Sequence, residues 1–321
     1  MKNSIYKYLS EEIVNNILSK WNEPHRYYHN IDHLNYLLNR ISSINDLSDI
    51  DKDILIISSY FHDIVYNPKK SNNEEKSIEL LNEYTQIPLD IRNRCSLIIK
   101  DTSSSEIPTD SLSKLFWLLD REILNSDIGD LIDYEHKIFK EYQFVPYDVY
   151  RKKRIEFLKT VAKRSNHIEQ LISYIEKRKP KIGIYAGSFN PYHIGHNDVL
   201  KKAEKIFDKV IVAFGNNPDK EKRKINVPIC LEFHQVDEYN GLITDYITHI
   251  ENSGVDVTLI RGIRNGIDLD YESNQLSFIK DIKPDTKVLY IPCDKKYEHI
   301  SSSAIRNLMK FDNSLINKYL P

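Results

Sequence analysis

Glycine is placed very unevenly in this chain. Of nine glycines in 321 residues only Gly129 precedes position 180, and the other eight run from Gly183 to Gly266. Glycine marks turns and places where the backbone must approach a ligand or another element closely. The distribution therefore predicts a first half of helices and a second half of strands joined by tight functional turns. The apolar pattern agrees: up to about Lys177 apolar residues recur three and four apart, as in Ile54, Ile57, Phe61 and Val65, or Leu112, Phe116, Leu119 and Ile123. Pro24, Pro68, Pro88, Pro108 and Pro146 are the expected breaks between these helices.

A basic segment, Lys177 to Lys181, then separates two domains, 1–178 and 179–321. Beyond it, β-rich segments at Ile182 to Ala186, Val210 to Phe214, Val255 to Ile260 and Lys287 to Ile291 alternate with helix-like stretches at Asn197 to Phe207, Leu269 to Ile279 and Ser302 to Met309. That alternation predicts βαβ units and a mostly parallel sheet that binds ligands at the carboxyl ends of its strands. Composition narrows the class. Hydrophobic residues at 40% and charged residues at 29% describe a folded chain, and a net charge of −2 points to neither nucleic acid nor membrane as a partner. The N-terminus lacks the apolar core of a signal peptide, and the three widely spaced cysteines fit a reduced, cytoplasmic setting.

The first β segment of the second domain runs into Gly187, Ser188, Phe189, Asn190, Pro191, Tyr192, His193, Ile194, Gly195 and His196, and then a helix. A strand, a glycine-containing turn and a helix N-terminus make an anion site, since free backbone N–H groups and the helix dipole face one point. Histidines there can donate to phosphate oxygens as charge builds in phosphoryl or nucleotidyl transfer. The segment resembles the (T/S)xxxxHxGH signature of the nucleotidyltransferase superfamily, with Ser188, His193 and His196 in its places. Arg261, Gly262, Ile263, Arg264 through Asp268, Tyr271 and Glu272 resemble the RGxRxxxDxxYE segment of phosphopantetheine adenylyltransferases, and Ile300 to Arg306 resemble the superfamily's ISSSxxR segment. Gly241 to Tyr246 is similar to that family's pantetheine-side loop.

The resemblance implies a Rossmann-like domain that joins ATP to 4′-phosphopantetheine with Mg²⁺, and a homo-oligomer. It implies His196, Lys220 and Ser188 as catalytic residues. Arg261 would hold the phosphopantetheine side, and Arg264 and Ser303 the nucleotide phosphates, with Ser302, His193, Gly187, Phe189, Leu242, Ile243 and Glu272 as further substrate contacts. The nicotinate and nicotinamide mononucleotide adenylyltransferases are an alternative, because their GSFxPxHxGH wording is nearer to the first motif.

In the helical half, Arg26 to His33 (RYYHNIDH) is followed by Phe61, His62 and Asp63. His29 and His33 are spaced one helical turn apart, on a shared face. A His-Asp pair inside an apolar run is costly to bury unless something satisfies it, and a metal ion does. Asp120, in the apolar stretch Leu115 to Leu124, is a third buried carboxylate candidate. Mixed His and carboxylate ligands suit Mn²⁺, Fe²⁺, Zn²⁺ or Mg²⁺ alike. Together with Asn73, Glu74, Glu75 and Ser77 these residues resemble HD-domain phosphohydrolases. The resemblance implies an all-helical domain in which His33, His62, Asp63 and Asp120 ligate one metal, His29 is a general acid and Arg26 a phosphate contact. A sensing or scaffolding module is the alternative for this half.

Overall fold

Runs such as Ile182 to Ala186 and Val210 to Phe214 are apolar at consecutive positions, as strands buried on both faces of a parallel sheet must be. The computed structural model describes residues 4–161, 166–216, 227–311 and 313–321. Its helices are α1 (Glu11–Trp21), α2 (Ile31–Ser42), α3 (Asp49–Phe61), α4 (Asn73–Glu83), α5 (Leu89–Thr102), α6 (Ser111–Asp120), α7 (Ile128–Glu141), α8 (Tyr147–Val161) and α9 (Asn166–Lys177). The α/β part follows as β1 (Lys181–Gly187), α10 (Ile194–Ala203), β2 (Lys209–Asn216), β3 (Gln235–Asn240), α11 (Ile243–Glu251), β4 (Asp256–Ile263), α12 (Gly266–Ile282), β5 (Val288–Pro292) and α13 (Ser302–Met309). Two compact units form, one of Met1–Glu141 with Leu158–Leu171, the other of Tyr142–Phe157 with Ile172–Pro321. Among the described residues no helix is long and apolar enough to cross a membrane.

All five prolines singled out in the sequence fall between helices, and Pro88 caps α5. Polar N-caps start several helices: Ser10, Asn30, Ser48 and Asp110 each accept a hydrogen bond from an amide of the first turn. Helix α3 is the spine. Every residue from Asp53 to Phe61 is buried, and α2, α4, α5 and α6 pack around it. The Trp21, Phe61 and Phe116 rings fill this core. Two local expectations change. His29 precedes α2, whose N-cap is Asn30, so it shares no helical face with His33. Helix α6 ends at Asp120 and a 3-10 turn, Glu122–Asn125, follows, so Asp120 sits at a helix end.

In the α/β unit the sheet is parallel throughout, in the order β3-β2-β1-β4-β5. The chain adds β2 and β3 on one side of β1 and then β4 and β5 on the other. The order reverses between β1 and β4, and at such a switch point the connections leave in opposite directions and open a crevice at the carboxyl ends of the strands. The HxGH turn leaves β1 there, and the RGxR segment ends β4 there. Strand β3 and helix α11 were not expected. Gln235, Asp237 and Glu238 make β3 a polar edge strand without an apolar run, and Gly241 to Tyr246, expected as a loop, is a turn at Gly241 (φ +86°) leading into α11.

Candidate functional site

A cavity of about 540 Å³ opens at the switch point. It is lined by Ser188, His193 and His196 after β1, by Gly262, Ile263 and Arg264 at the end of β4, by Glu272 of α12, and by Ser301, Ser302, Ser303 and Arg306 of the last motif. The N-termini of α10 and α13 both reach this space. Each presents unpaired amides and the positive end of a dipole, so together they form an anion cradle. Ser301 caps α13 by accepting from Ala304 N, while the Ser302 hydroxyl donates to the Pro191 carbonyl at 2.9 Å. The Arg306 guanidinium donates to the Asn190 carbonyl and, at 2.9 Å, to Ser303 Oγ. The last motif thus fastens the turn that carries the first.

Within that turn the backbone N–H of His193 donates to His196 Nδ1 at 3.2 Å, and the two rings stack with centroids 3.5 Å apart. An Nδ1 that accepts a hydrogen bond carries no proton, so neutral His196 bears its proton on Nε2. Burial, then His193 and Arg264, holds His196 well below the usual histidine value, and burial and Arg264 push His193 down to about 4. Both rings are neutral near pH 7, and His196 can offer Nε2–H to an anion. Arg264 is held in a two-pronged pair with Asp268 at 2.7 and 2.8 Å while facing the cavity.

Other expected substrate contacts lie elsewhere. Phe189 is buried at 6% exposure, packed edge-on against His196, Tyr185 and Phe214. Gly187 serves that packing, since a Cβ there would fall 2.9 Å from the Phe189 ring. Phe189 therefore orients His196 and does not face the cavity. Leu242 caps α11, Ile243 begins it, and neither lines the cavity. Arg261 also lies outside it, pairing with Glu272 at 3.0 Å and donating to the Ala186 carbonyl at 3.2 Å. Lys220 falls outside the described residues. Tyr185, Cys293 and Tyr297 line the cavity and were not singled out in the sequence. Their positions follow from strand order, which single-sequence patterns do not specify.

In the helical unit three helices bring four candidate ligands together. His33 (α2), His62 and Asp63 (just after α3) have ligand atoms that all lie within 4.8 Å of one another. Asp120, ending α6, places Oδ1 3.1 Å from His33 Nε2 and 3.4 Å from His62 Nε2. Around one ion with metal–ligand distances of about 2.1 Å, neighbouring ligand atoms sit about 3.0–3.4 Å apart. The donor set fits a divalent cation. Trp21 and Phe116 wall His62, and Tyr28 walls His33.

His29 sits beside this cluster with its ring 6.1 Å from that of His33, its Nδ1 2.7 Å from Glu141 Oε2. Glu141 is buried and accepts from the amides of Tyr27, Tyr28 and His29 and from the Tyr66 hydroxyl. Burial lowers the His29 pKa, but the Glu141 charge and hydrogen bond outweigh it and leave it raised above 6.5. Arg26 does not fit a phosphate contact. Its side chain is fully buried, and the guanidinium bonds Glu23 and the carbonyls of His29, Asp63 and Ile64, tying the loop before α2 to the His-Asp turn. Asn73 and Ser77 clasp the chain at Asn67 and Val65.

The cytidylyltransferase-like family model matches residues 184–308. The phosphopantetheine adenylyltransferase of Buchnera aphidicola is 36% identical over 151 residues, 44% of this chain and 88% of that protein. That of Streptococcus pyogenes serotype M5 is 34% identical over 143 residues, 42% of this chain and 86% of its own length. By its C-terminal part the chain belongs to the phosphopantetheine adenylyltransferase family. A solved Vibrio parahaemolyticus structure, described as a nicotinate-nucleotide adenylyltransferase, matches at 21% identity over 44% of this chain and 94% of that one. The TM-score of that match is 0.32. The α/β unit is thus a nucleotidyltransferase by its sequence relatives. The family model's match lies wholly in this unit and does not reach His33, His62, Asp63 or Asp120.

The Glu141 clamp has a measurable signature. Burial raises its pKa, but the His29 charge and the bonds from His29 and Tyr66 outweigh that and hold it below 4.5. A depressed carboxyl stabilises the fold above its unfolded pKa and loses that contribution as pH falls through the folded one. Glu141→Gln is expected to cost about 1–3 kcal/mol in urea unfolding near pH 6. The gap from wild type should shrink as pH falls below 4.5; a gap constant with pH would contradict the charged clamp.

Proposed function

We propose that the chain is a bifunctional enzyme. Its α/β unit transfers the adenylyl group of ATP to 4′-phosphopantetheine, giving dephospho-CoA and pyrophosphate, and its helical unit hydrolyses a phosphate ester with a divalent metal. The observation that carries the first half is the convergence of His196, Arg264, Ser302 and Ser303 on one cavity between two helix N-termini. A phosphate oxygen of the acceptor attacks the α-phosphorus in line as pyrophosphate departs, so positioning and charge neutralisation dominate. His196 donates from Nε2 to the α-phosphate as its charge grows, and its neutrality lets it enter beside Arg264 without repulsion. Ser188 binds the incoming phosphate, and the α13 amides, Arg264 and Ser303 hold the leaving pyrophosphate. Lys220 is assigned by resemblance to the bridge between the reacting phosphates. Mg²⁺, when bound, neutralises the triphosphate.

In the helical unit His33, His62, Asp63 and Asp120 would hold the metal, which supplies a Lewis acid and acidifies the attacking water. His29 turns Nδ1 to Glu141, so Nε2 is the edge left to protonate a leaving oxygen, and its raised pKa keeps that proton available near neutrality.

His196→Ala is expected to lower kcat for pyrophosphate release from ATP and 4′-phosphopantetheine by about 100- to 1000-fold. A wild-type enzyme active only with a mononucleotide acceptor would overturn the acceptor assignment. For the helical unit, protein supplemented with Mn²⁺ is expected to retain one equivalent of metal by elemental analysis and to hydrolyse a phosphate ester from a substrate panel. Asp63→Ala should lose both; wild-type protein without metal or hydrolysis would favour a scaffolding role.

A further inference from the structure

Tyr239, next to the last residue of β3, is the register partner of Gly215 on β2. Its phenol folds across the neighbouring strand: a Cβ on Gly215 would fall 2.8 Å from Tyr239 Oη and 3.0 Å from its Cζ. Glycine inside a strand weakens it, and here the missing side chain is what gives the ring its place. Tyr246 of α11 stacks on the ring with centroids 5.3 Å apart at 22°, and its own hydroxyl donates to Asp237 at 2.6 Å. The ring is thus held, while the Tyr239 hydroxyl has no hydrogen-bond partner among the described residues.

Arg261 approaches the same ground from the other side. It leaves β4, pairs through Nε with Glu272 at 3.0 Å and donates from the guanidinium's other end to the Ala186 carbonyl of β1, and its charge bears on the Tyr239 phenol. Neither residue lines the nucleotide cavity. In-line transfer brings the acceptor to the α-phosphorus opposite the departing pyrophosphate. A cation and an unpaired hydroxyl at the carboxyl ends of the strands, outside the space for the nucleotide, are placed for that acceptor. Burial raises the phenol's pKa and Arg261 offsets only part of this, so the hydroxyl keeps its proton and can donate.

We infer that Tyr239 is an acceptor-recognition residue whose hydroxyl donates a hydrogen bond to the phosphomonoester of the acceptor beside Arg261. The inference rests on the adenylyl-transfer reading and adds to it a residue outside the sequence motifs. Tyr239→Phe removes only the hydroxyl, and Gly215→Ala pushes the whole ring from its seat. Acceptor and ATP are varied separately in steady-state kinetics of the full chain. For Tyr239→Phe the KM for 4′-phosphopantetheine is expected to rise about tenfold, with kcat and the KM for ATP within about twofold of wild type. Gly215→Ala should move the acceptor KM in the same direction. An unchanged acceptor KM in Tyr239→Phe, or an equal rise in both KM values, would overturn the inference. Should wild type accept only nicotinate or nicotinamide mononucleotide, the acceptor assignment fails by itself. The same comparison with that phosphomonoester then decides on Tyr239.

Discussion

One hydrogen bond sets what the adenylyltransferase site can do. By occupying His196 Nδ1, the His193 amide fixes which edge of a neutral imidazole carries the proton. The surroundings serve that arrangement. Phe189 packs edge-on against the ring, Gly187 makes room for Phe189, and Ser302 and Arg306 hold the carbonyls of Pro191 and Asn190. A charged histidine here would face Arg264 at close range in a buried space. Under the proposed function a neutral donor works with the arginine and the helix N-termini on the same phosphate oxygens.

The helical unit treats charge in the opposite way. It gathers the half-buried carboxylates of Asp63 and Asp120 against the buried imidazoles of His33 and His62 in one space. Glu141 does not join that cluster. It closes on three backbone amides, His29 and Tyr66, fixing the loop that leads to His33 and aiming His29. Under the proposed functions one unit handles phosphate with helix ends and neutral donors, and the other with a metal held by rigid helices.

Much of this was legible in the sequence because it is local. The apolar runs of β1 and β2, the five prolines between helices and the HxGH turn are written in contiguous residues. So were His33, His62, Asp63 and Asp120, since a His-Asp pair in an apolar helix is conspicuous before its partners are known. Edge strand β3 was missed because solvent on one side lets Gln235, Asp237 and Glu238 replace the apolar residues that mark a strand. The packing of Phe189, Gly187 and Arg26 was not legible because a motif gives proximity to a site and not the direction of a side chain. Arg26 and Phe189 turn inward to position neighbouring groups. Tyr239 carried no signal, because its placement depends on a glycine more than twenty positions earlier on an adjacent strand.

The protonation state of His196 is the property on which the proposed adenylyl transfer most directly depends. Nitrogen-15 NMR of histidine-labelled protein, with His196→Gln used to assign the resonance, reads tautomer and titration together. The expected spectrum shows a neutral ring protonated at Nε2 that does not titrate between about pH 5 and 8. A ring protonated at Nδ1, or one that takes up a proton near the ordinary histidine value of 6.5, would contradict it.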